Sequence, residues 1–301
     1  MKRNDQTITY SLDPKQFILD EVAETLDQDL LKDMFKNSET VYCRMFKELE
    51  LHIENKIATI ILNRPQASNS INLAMANALQ QVLACCAGSS HVKVICIKGK
   101  GIAFCAGQDL KEVIAPDAPA LDDFLFERHH PVLDMIRNMP KPVIAAVNGA
   151  AAGAGMSLAL CCDIVIAKYS ASFIQSFSKI ALVPDCGSTY MLPRMAGLQK
   201  SKAMMMLAEP VSAQQAEDWG LIYKAVPDET FDTTIDATCK RLATMPSQSM
   251  GWIKETLNKT FDNDWHSQLA LEASLLGKAG DTKDFKEGVN AFLEKRIPQF
   301  Q

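Results

Sequence analysis

The sequence predicts an α/β fold, with parallel strands that carry helices on their outer faces and a helical C-terminal lobe. Apolar strands predicted at 92–97 and 142–148 are each followed by a loop of small residues and then by a helix, and a further strand follows at 164–167. Units of strand, helix and strand place their two strands parallel in one sheet. After Tyr190 almost every segment shows the apolar spacing of a helix, which predicts the lobe.

The composition is that of an ordinary globular protein. Of the 301 residues 48% are hydrophobic and 22% are charged, and the formal net charge of -5 argues against a nucleic-acid-binding surface. The nine cysteines show no metal-ligand spacing and lie mostly in apolar runs, as in a protein of a reducing compartment. We find neither a secretory signal nor a run long enough to span a membrane. We therefore expect a cytoplasmic protein without a metal site and without membrane or nucleic-acid partners.

Residues 1–45 are predicted to form an N-terminal helical extension. Between Phe17 and Phe35 apolar residues recur at helical spacing, and acidic residues occupy the other face. This pattern is typical of a helix that packs on the surface of a domain.

Residues 46–225 are predicted to form the core, and residues 226–301 a helical lobe that caps it or forms an oligomer. The core begins with a hairpin, because apolar and polar residues alternate from Leu49 to Ile53 before a turn at Glu54-Asn55. Pro131 is expected to kink the helix at 121–139. The remaining expected strands are 57–62 and 221–226, and the expected helices are 73–87, a segment after Asp109, 156–162, 201–208, 212–219, 228–245, 247–261, 265–277 and 282–296.

A carboxylate in the stretch 173–190 does not fit a purely structural role. Asp185 ends the apolar run 180–184 and precedes Cys186-Gly187-Ser188. Burial of an unpaired carboxylate raises its pKa, and a carboxylate in that state is a candidate general base. Asp is also a preferred N-cap residue, and a helix is expected to begin near Cys186. At this point both interpretations are open.

Two loops of small residues share one design. Ala106-Gly107-Gln108 and Gly153-Ala154-Gly155 each stand directly before a helix. The N–H groups at a helix N-terminus have no partner within the helix and point outward. Two such groups from separate loops can converge on one oxygen as an oxyanion hole. With a carboxylate nearby, the expected reaction is abstraction of a proton α to a carbonyl group.

Other chemistries have weaker support in the sequence. The stretch from Gly153 to Leu158 matches only two glycines of a dinucleotide-binding loop, and no acidic residue follows at the expected distance. His129 and His130 are adjacent on a predicted helix, so they do not share a face and are not a metal pair. We expect them to be surface histidines, although one could face the site.

The stretches KGKGIAFCAGQDL, KPVIAAVNGAAAGAGMSLALCCDIVIA and LVPDCGSTYMLPRMAG together resemble the crotonase (enoyl-CoA hydratase/isomerase) superfamily. The resemblance extends from about residue 51 to the C-terminus. It implies a spiral core of ββα units, a C-terminal trimerisation lobe, an acyl-CoA thioester ligand, and a homotrimer or a hexamer formed from two trimers. It also implies that the oxyanion-hole N–H groups belong to Gln108 and Ala154. Because CoA is part of the substrate, no separate cofactor is expected.

The acidic residues distinguish activities within this superfamily. Hydratases resemble one another in two glutamates, and the corresponding positions here are Ser157 and Phe177. A carboxylate at the position of Asp185 resembles enoyl-CoA isomerases of fatty acid metabolism and the epoxyphenylacetyl-CoA isomerases of phenylacetate degradation. We therefore expect Asp185 to act as the acid and base that shifts a double bond or assists the opening of an aryl epoxide.

Three alternatives remain at the level of the sequence. One is a hydratase-like activity, and another is a dehalogenase or hydrolase, because His130 falls near the histidine base of chlorobenzoyl-CoA dehalogenases. The third is a non-catalytic protein that binds acyl-CoA.

The resemblance also implies which residues hold the substrate. The CoA adenine is expected at the backbone of Ala106, Asp109 and Leu110, and its phosphates at Arg64, Lys111 and Lys295. The acyl pocket is expected to consist of Met156, Phe177, Ile180 and His130, together with Leu110. For Met156 and Phe177 a plain place in the core is an equally good interpretation.

Overall fold

The structure, a computed structural model, describes residues 42–301, with side chains from Phe46 onward. The predicted helix between Phe17 and Phe35 therefore lies outside the described residues. The strands are β1 Tyr42–Met45, β2 Leu49–Glu54, β3 Ile57–Leu62, β4 Val94–Gly99, β5 Ala103–Cys105, β6 Val143–Val147, β7 Ala150–Ala152, β8 Ile164–Lys168, β9 Ser172–Ile174, β10 Val211–Ser212 and β11 Lys224–Val226.

The helices follow in the same order along the chain. They are α1 Leu73–Gly88, α2 Leu110–Val113, α3 Leu121–Phe124, α4 His130–Asn138, α5 Ala154–Cys161, α6 Ser188–Ala196, α7 Leu198–Leu207, α8 Ala213–Asp218, α9 Phe231–Ala243, α10 Ser247–Lys259, α11 Trp265–Gly280 and α12 Lys283–Glu294. Most of the helices and strands expected from the sequence are present, with ends that differ by a few residues.

The main sheet has the strand order β1-β2-β3-β4-β6-β8-β11. Strands β1, β2 and β3 pair antiparallel, and from β3 onward all neighbours are parallel. The hairpin turn between β2 and β3 has positive φ at Asn55 and Lys56, which is the geometry that suits a two-residue hairpin loop. Since β1 belongs to this sheet, the assignment of residues 42–45 to a helical extension is wrong.

Both faces of the main sheet are buried. In β4 the side chains of Ile95 and Ile97 enter the main hydrophobic core with α1 and α5, whereas Val94 and Cys96 pack on the other face against α9. Alternation along a strand sends successive side chains to opposite faces. A strand covered on both faces reads as a continuous apolar run, which is why these strands could be identified from the sequence.

A second sheet of four short strands, in the order β10-β9-β7-β5, lies beside the first. Each of β4, β6 and β8 is followed by one short strand of the second sheet and then by helical chain. This repeated unit of two strands and a helix is the spiral ββα core that the resemblance implies. The short strands were not expected from residue pattern alone because three residues carry no readable periodicity.

The segment predicted as one helix at 121–139 is divided into three parts. Helix α3 is followed by a π-helical segment at Leu125–His129, and α4 begins at His130. The helical backbone is continuous over residues 121–138, so Pro131 lies inside it and not at a free helix start. A proline leaves the carbonyl four residues earlier without its N–H partner, and here that carbonyl belongs to Glu127 in the π-helical segment. The irregularity therefore agrees with the prediction of a break or kink at Pro131.

The C-terminal helices α9 to α12 follow the core, and one buried cation ties them to it. The ammonium group of Lys254 on α10 lies 2.7 Å from Asp163 Oδ2 and 2.6 Å from the carbonyl oxygen of Ile136. The same carboxylate oxygen accepts the N–H group of Val143 at 2.7 Å, so the ion pair is anchored at the start of β6.

Candidate active site

The loop that carries Asp185 does not use its carboxylate as a helix cap. Helix α6 begins at Ser188 with Gly187 as its N-cap residue. The backbone carbonyl of Asp185, not its side chain, accepts the N–H group of Ser188 at 3.0 Å and the Ser188 hydroxyl at 2.7 Å. The N-cap interpretation of Asp185 is therefore wrong, and the carboxylate is left for another role.

The Asp185 carboxylate is partly buried and incompletely paired. Its Oδ1 atom is shielded from solvent and has no hydrogen-bond partner among residues 42–301. Burial raises the pKa of Asp185, and although the Cys186 thiol and the charge of His130 lower it, burial has the larger effect. The carboxylate therefore holds a proton more readily than a solvated aspartate does.

The backbone after Asp185 is in an unusual conformation. Cys186 has a φ of 51° and Gly187 a φ of 74°, so two consecutive residues are left-handed. A non-glycine residue in this region stores about 1–3 kcal/mol and is often found at functional sites. The loop is held in this shape by the burial of Cys186 and by the bonds from Ser188.

The loop at 106–108 is fixed by the chain that precedes α1. Ile71 N–H donates to Gly107 O at 2.7 Å, and Asp109 N–H donates to Ile71 O at 3.0 Å. These bonds alternate along the loop, so the N–H group of Gln108 points away from Ile71. It has no acceptor in the described part of the chain.

The loop at 153–155 lies directly against the first loop. A Cβ atom on Gly107 would stand 3.1 Å from the nitrogen of Ala154 and 2.9 Å from the oxygen of Ala152, and the φ of Gly107 is +90°. Ala154 is the first residue of α5, and its N–H group likewise has no acceptor within residues 42–301. The two loops are thus in contact through the one residue type that permits it.

One of the two adjacent histidines contacts the first loop. His129 Nε2 lies 2.7 Å from Gln108 Oε1, and the His129 side chain is buried. Burial, together with the nearby charges of His130 and Arg128, lowers the pKa of His129 to about 4. The expectation of a surface histidine is wrong for His129.

The sequence indicates an irregular helix through Pro131 but not this contact, which depends on the π-helical segment at Leu125–His129, in which residues are not spaced as in an α-helix. His130 is half-buried and makes an edge-on contact with the Phe126 ring at 5.3 Å.

The elements named so far enclose a small cavity of about 10 Å³. This is about the volume that one water molecule requires. The cavity joins the second loop, the residue after Asp185 and the π-helical segment. Its lining consists of Ile71, Leu79, Arg128, His129, Val132, Leu133, Ala154, Leu158 and Cys186.

Buried side-chain polar atoms without a partner are concentrated around this site. Among residues 42–301 they are Nε of Arg128, both amide atoms of Gln175 and Oδ1 of Asp185. Arg128 lines the cavity, and Gln175 directly precedes Ser176, whose hydroxyl would lie 3.4 Å from a Cβ atom on Gly153. Most buried polar groups in proteins are hydrogen-bonded, so such a concentration marks a functional region.

The residues expected at the CoA moiety are only partly brought together. Arg64 Nη2 lies 2.7 Å from Asp109 Oδ2, and Arg64 Nη1 donates to the carbonyl of Ser70 at 2.6 Å. Asp109 also caps α2 by accepting the N–H group of Lys111, and Ala106 N–H donates to Ser68 O. The guanidinium of Arg64 is therefore already paired inside the protein, and its role at a CoA phosphate stays a prediction.

The last expected CoA ligand stands apart from this group. Lys295 is exposed at the C-terminal end of α12, and no described contact joins it to Arg64 or Lys111.

The residues expected around the acyl group occupy different environments. Met156 is fully buried and belongs to the main hydrophobic core, which fits the plain core interpretation, and its role in the pocket stays a prediction. Phe177 is buried beside the second loop, 3.8 Å from the position of a Cβ atom on Gly153. Ile180 and Leu110 are each 46% exposed. Pocket roles for Phe177, Ile180, Leu110 and His130 remain predictions.

No group of three or more His, Cys, Asp or Glu side chains in residues 42–301 is placed to hold a metal ion. Over the same residues, no helix combines the length and the apolar character needed to cross a bilayer.

Comparisons with known proteins agree with this architecture. A family model described as Enoyl-CoA hydratase/isomerase matches residues 52–301. The chain therefore belongs to the enoyl-CoA hydratase/isomerase family, also called the crotonase family, and is an enzyme of the acyl-CoA isomerase and hydratase type.

Relatives within the family carry both kinds of name. A 1,2-epoxyphenylacetyl-CoA isomerase of Escherichia coli (strain K12) is 43% identical over 252 residues, which are 83% of this chain and 96% of the relative. A trans-2-decenoyl-acyl-carrier-protein isomerase of Streptococcus mutans is 31% identical over 258 residues, or 85% of this chain and 98% of the relative. The crystal structure of an enoyl-CoA hydratase from Polaromonas sp. JS666 has a TM-score of 0.78 at 30% identity and covers 87% of this chain and 99% of its own.

Proposed function

We propose that this protein is an acyl-CoA isomerase that moves a double bond through an enolate of the thioester. Asp185 is the proton-transfer group, and the N–H groups of Gln108 and Ala154 form the oxyanion hole. The observation that carries the proposal is the Asp185 carboxylate, which is unpaired at Oδ1 and has a raised pKa, and which directly precedes Cys186, a residue that lines one cavity with Ala154.

The reaction requires two proton transfers and no other reactant. The thioester oxygen accepts hydrogen bonds from the N–H groups of Gln108 and Ala154, so negative charge that develops on this oxygen is stabilised. Asp185 removes a proton from the carbon next to the thioester carbonyl, and the electrons move into a dienolate. The same carboxylic acid then returns the proton at a carbon further along the acyl chain, which leaves the double bond shifted and Asp185 ionised again.

A carboxylate with a raised pKa suits both halves of this cycle. A general base works best when its pKa lies close to the working pH, because it must be ionised before the first step and acidic enough for the second. Burial of Asp185 moves its pKa in that direction.

Hydration of a double bond has less support at this site. The positions at which hydratases resemble one another in glutamate hold Ser157 and Phe177. Ser157 is fully buried and its hydroxyl donates to the carbonyl of Gly153 at 3.3 Å, so it is not directed at a substrate water. A single carboxylate is sufficient for a 1,3-shift of a proton, whereas water addition also needs groups that position the water.

In one form of the proposal the acyl group of the substrate is aromatic. The relative with 43% identity is named for an isomerase of 1,2-epoxyphenylacetyl-CoA. In that reaction the same oxyanion hole and the same acid would assist the opening of an aryl epoxide to a ring-expanded oxepin. Buried Phe177 beside the second loop suits an aromatic ring.

We further propose that CoA binds across the surface near α2 and that the protein works as a homotrimer or as a dimer of trimers. Lys111 is exposed beside the paired Arg64 and Asp109 and can meet a phosphate, and Lys295 can do so at the end of α12. Large apolar side chains are exposed on or beside the C-terminal helices, which supports burial against other subunits. They include Leu257, Phe261, Trp265, Leu276, Phe292, Leu293 and Ile297.

Substitution of Asp185 tests the proposal. Asp185→Asn keeps the size of the side chain but removes the base, so we expect the rate of isomerisation of a 3-enoyl-CoA to fall by about a thousandfold or more. Binding of a non-reactive CoA thioester, measured by calorimetry, should change little. Asp218→Asn, on an exposed face of α8, is the matched control and should retain the full rate. Retention of activity by the Asp185 variant would show that another group transfers the proton.

A further inference from the structure

We propose that His129 is a positioning residue, which holds the Gln108 loop so that the Gln108 N–H group points at the thioester oxygen. The inference rests on the proposed function of that loop. It assigns a role to a side chain that does not itself touch the reacting atoms.

The π-helical segment Leu125–His129 holds the loop region at two points. His129 Nε2 lies 2.7 Å from Gln108 Oε1, and Arg128 Nη1 lies 2.6 Å from Glu112 Oε2. Gln108 and Glu112 stand on either side of the start of α2. Two neighbouring side chains of one segment therefore hold both ends of the stretch 108–112.

Burial determines what the contact between His129 and Gln108 can be. His129 is 5% exposed, and its low pKa keeps the ring neutral at physiological pH. The Gln108 amide donates through Nε2 to the carbonyl of Asp109 at 3.3 Å, which leaves Oε1 as the acceptor. His129 must then carry its proton on Nε2 and donate it to Gln108.

This hydrogen bond completes the restraint of Gln108. The backbone on both sides of Gln108 is already bonded to Ile71, through Gly107 O and Asp109 N–H. The side-chain bond adds a third fixed point, so the residue cannot rotate without breaking at least one bond. An oxyanion hole is effective only when its donors are fixed before charge develops.

The placement of His129 also connects the loop to the rest of the site. His129 lines the same cavity as Ala154 and Cys186. A displaced imidazole ring would enter the space next to the second oxyanion donor.

Gln108 allows the idea to be tested without removal of the proposed oxyanion donor. Gln108→Met retains the backbone N–H group but loses the acceptor. We expect Gln108→Met and His129→Leu each to lower kcat about tenfold with little change in KM, because the donor serves the transition state more than substrate binding. The double variant should be no slower than either single variant, because both remove the same bond. His129→Gln, which can still donate an N–H group, should recover part of the loss.

Three results would overturn the proposal. These are a multiplicative loss in the double variant, an effect of His129→Leu without an effect of Gln108→Met, and an absence of effect in both. If His129→Leu does not fold, Gln108→Met alone still decides, since full kcat in that variant excludes the positioning role. Asp185→Asn is measured in parallel: if it remains active, the proposed function has failed, whatever the His129 variants do.

Discussion

At the scale of single residues, Asp185 combines a cost in stability with a chemical use. Its carboxylate is partly buried, its Oδ1 atom has no partner, and its side chain does not cap the helix that follows. The unfolded chain solvates this carboxylate fully, so the raised pKa in the folded state means that ionisation opposes folding. Such a cost is typical of catalytic groups.

The sign of this effect gives a prediction about stability. Because the pKa of Asp185 is raised on folding, the stability linked to its protonation is fully present below the pKa of the unfolded state and is lost as pH rises through the pKa of the folded state. At neutral pH Asp185→Asn should therefore raise the melting temperature, because the variant has no carboxylate to ionise. Thermal unfolding at pH 4 and pH 7 measures this, and the gain should shrink at the lower pH. A lower melting temperature of the variant at pH 7 would contradict the account.

The sequence identified Asp185 but could not decide its role. An apolar run before an aspartate predicts burial, whereas the choice between helix cap and free carboxylate depends on where the helix begins, here Ser188. His129 shows the opposite case. Its contact with Gln108 depends on the π-helical segment, and Pro131 indicates an irregular helix there but not which side chain contacts Gln108.

At the scale of elements, the site depends on the contact between the loops at 106–108 and 153–155, each of which leads into a helix. At Gly107 the second loop leaves no space for a Cβ atom, which would lie 2.9 Å from the oxygen of Ala152. In the second loop Gly155 is restricted more tightly, since a Cβ atom there would lie 2.2 Å from the oxygen of Cys105. The loops were predictable because each stands directly before a helix, where N–H groups point outward and small residues let a ligand approach the backbone.

Gly107→Ala should separate the loops and disable the oxyanion hole. The added Cβ atom would lie 2.9 Å from Ala152 O at a φ of +90°, so we expect a loss of kcat/KM of about a hundredfold, comparable to removal of one oxyanion donor. Gly88→Ala is the matched control, because a Cβ atom there meets nothing within 4 Å. Activity and circular dichroism are measured on both variants. Full activity in Gly107→Ala would show that the contact between the loops is not needed.

The pairing of elements was predictable to different degrees. The parallel strands β4, β6 and β8 are continuous apolar runs, and the helices after residue 226 have clear periodicity. The three-residue strands of the second sheet are too short for a pattern and were expected only through the resemblance to a family. The pairing of β1 with β2 was missed, because residues 42–45 were included with the N-terminal extension.

At the scale of the whole molecule, the core buries both faces of its main sheet, whereas the C-terminal helices leave apolar side chains uncovered. Phe292 is 83% exposed and Ile297 is 86% exposed. Large exposed apolar patches are uncommon on monomeric proteins. The proposal of a trimer accounts for them.

The mass of the protein in solution tests this assembly. We expect light scattering coupled to size-exclusion chromatography to give three or six times the mass of one chain. Phe292→Glu should lower the mass or make it dependent on concentration, since it places a charge in the proposed interface. Lys286 on the same helix is already charged and exposed, so Lys286→Glu should leave the mass unchanged. A monomeric mass for the wild-type protein would exclude the proposed trimer.

The central claim, that one carboxylate moves a proton along an acyl-CoA without adding water, is tested most directly by the products of the purified protein. A 3-enoyl-CoA labelled with deuterium next to the thioester is incubated in water with the wild-type protein and with Asp185→Asn, and the products are analysed by mass spectrometry and NMR. The account predicts a 2-enoyl-CoA to which no water has been added and which keeps part of the deuterium at the carbon that receives the proton. It predicts no turnover in the variant. A 3-hydroxyacyl-CoA as the main product, or equal turnover in the variant, would contradict it.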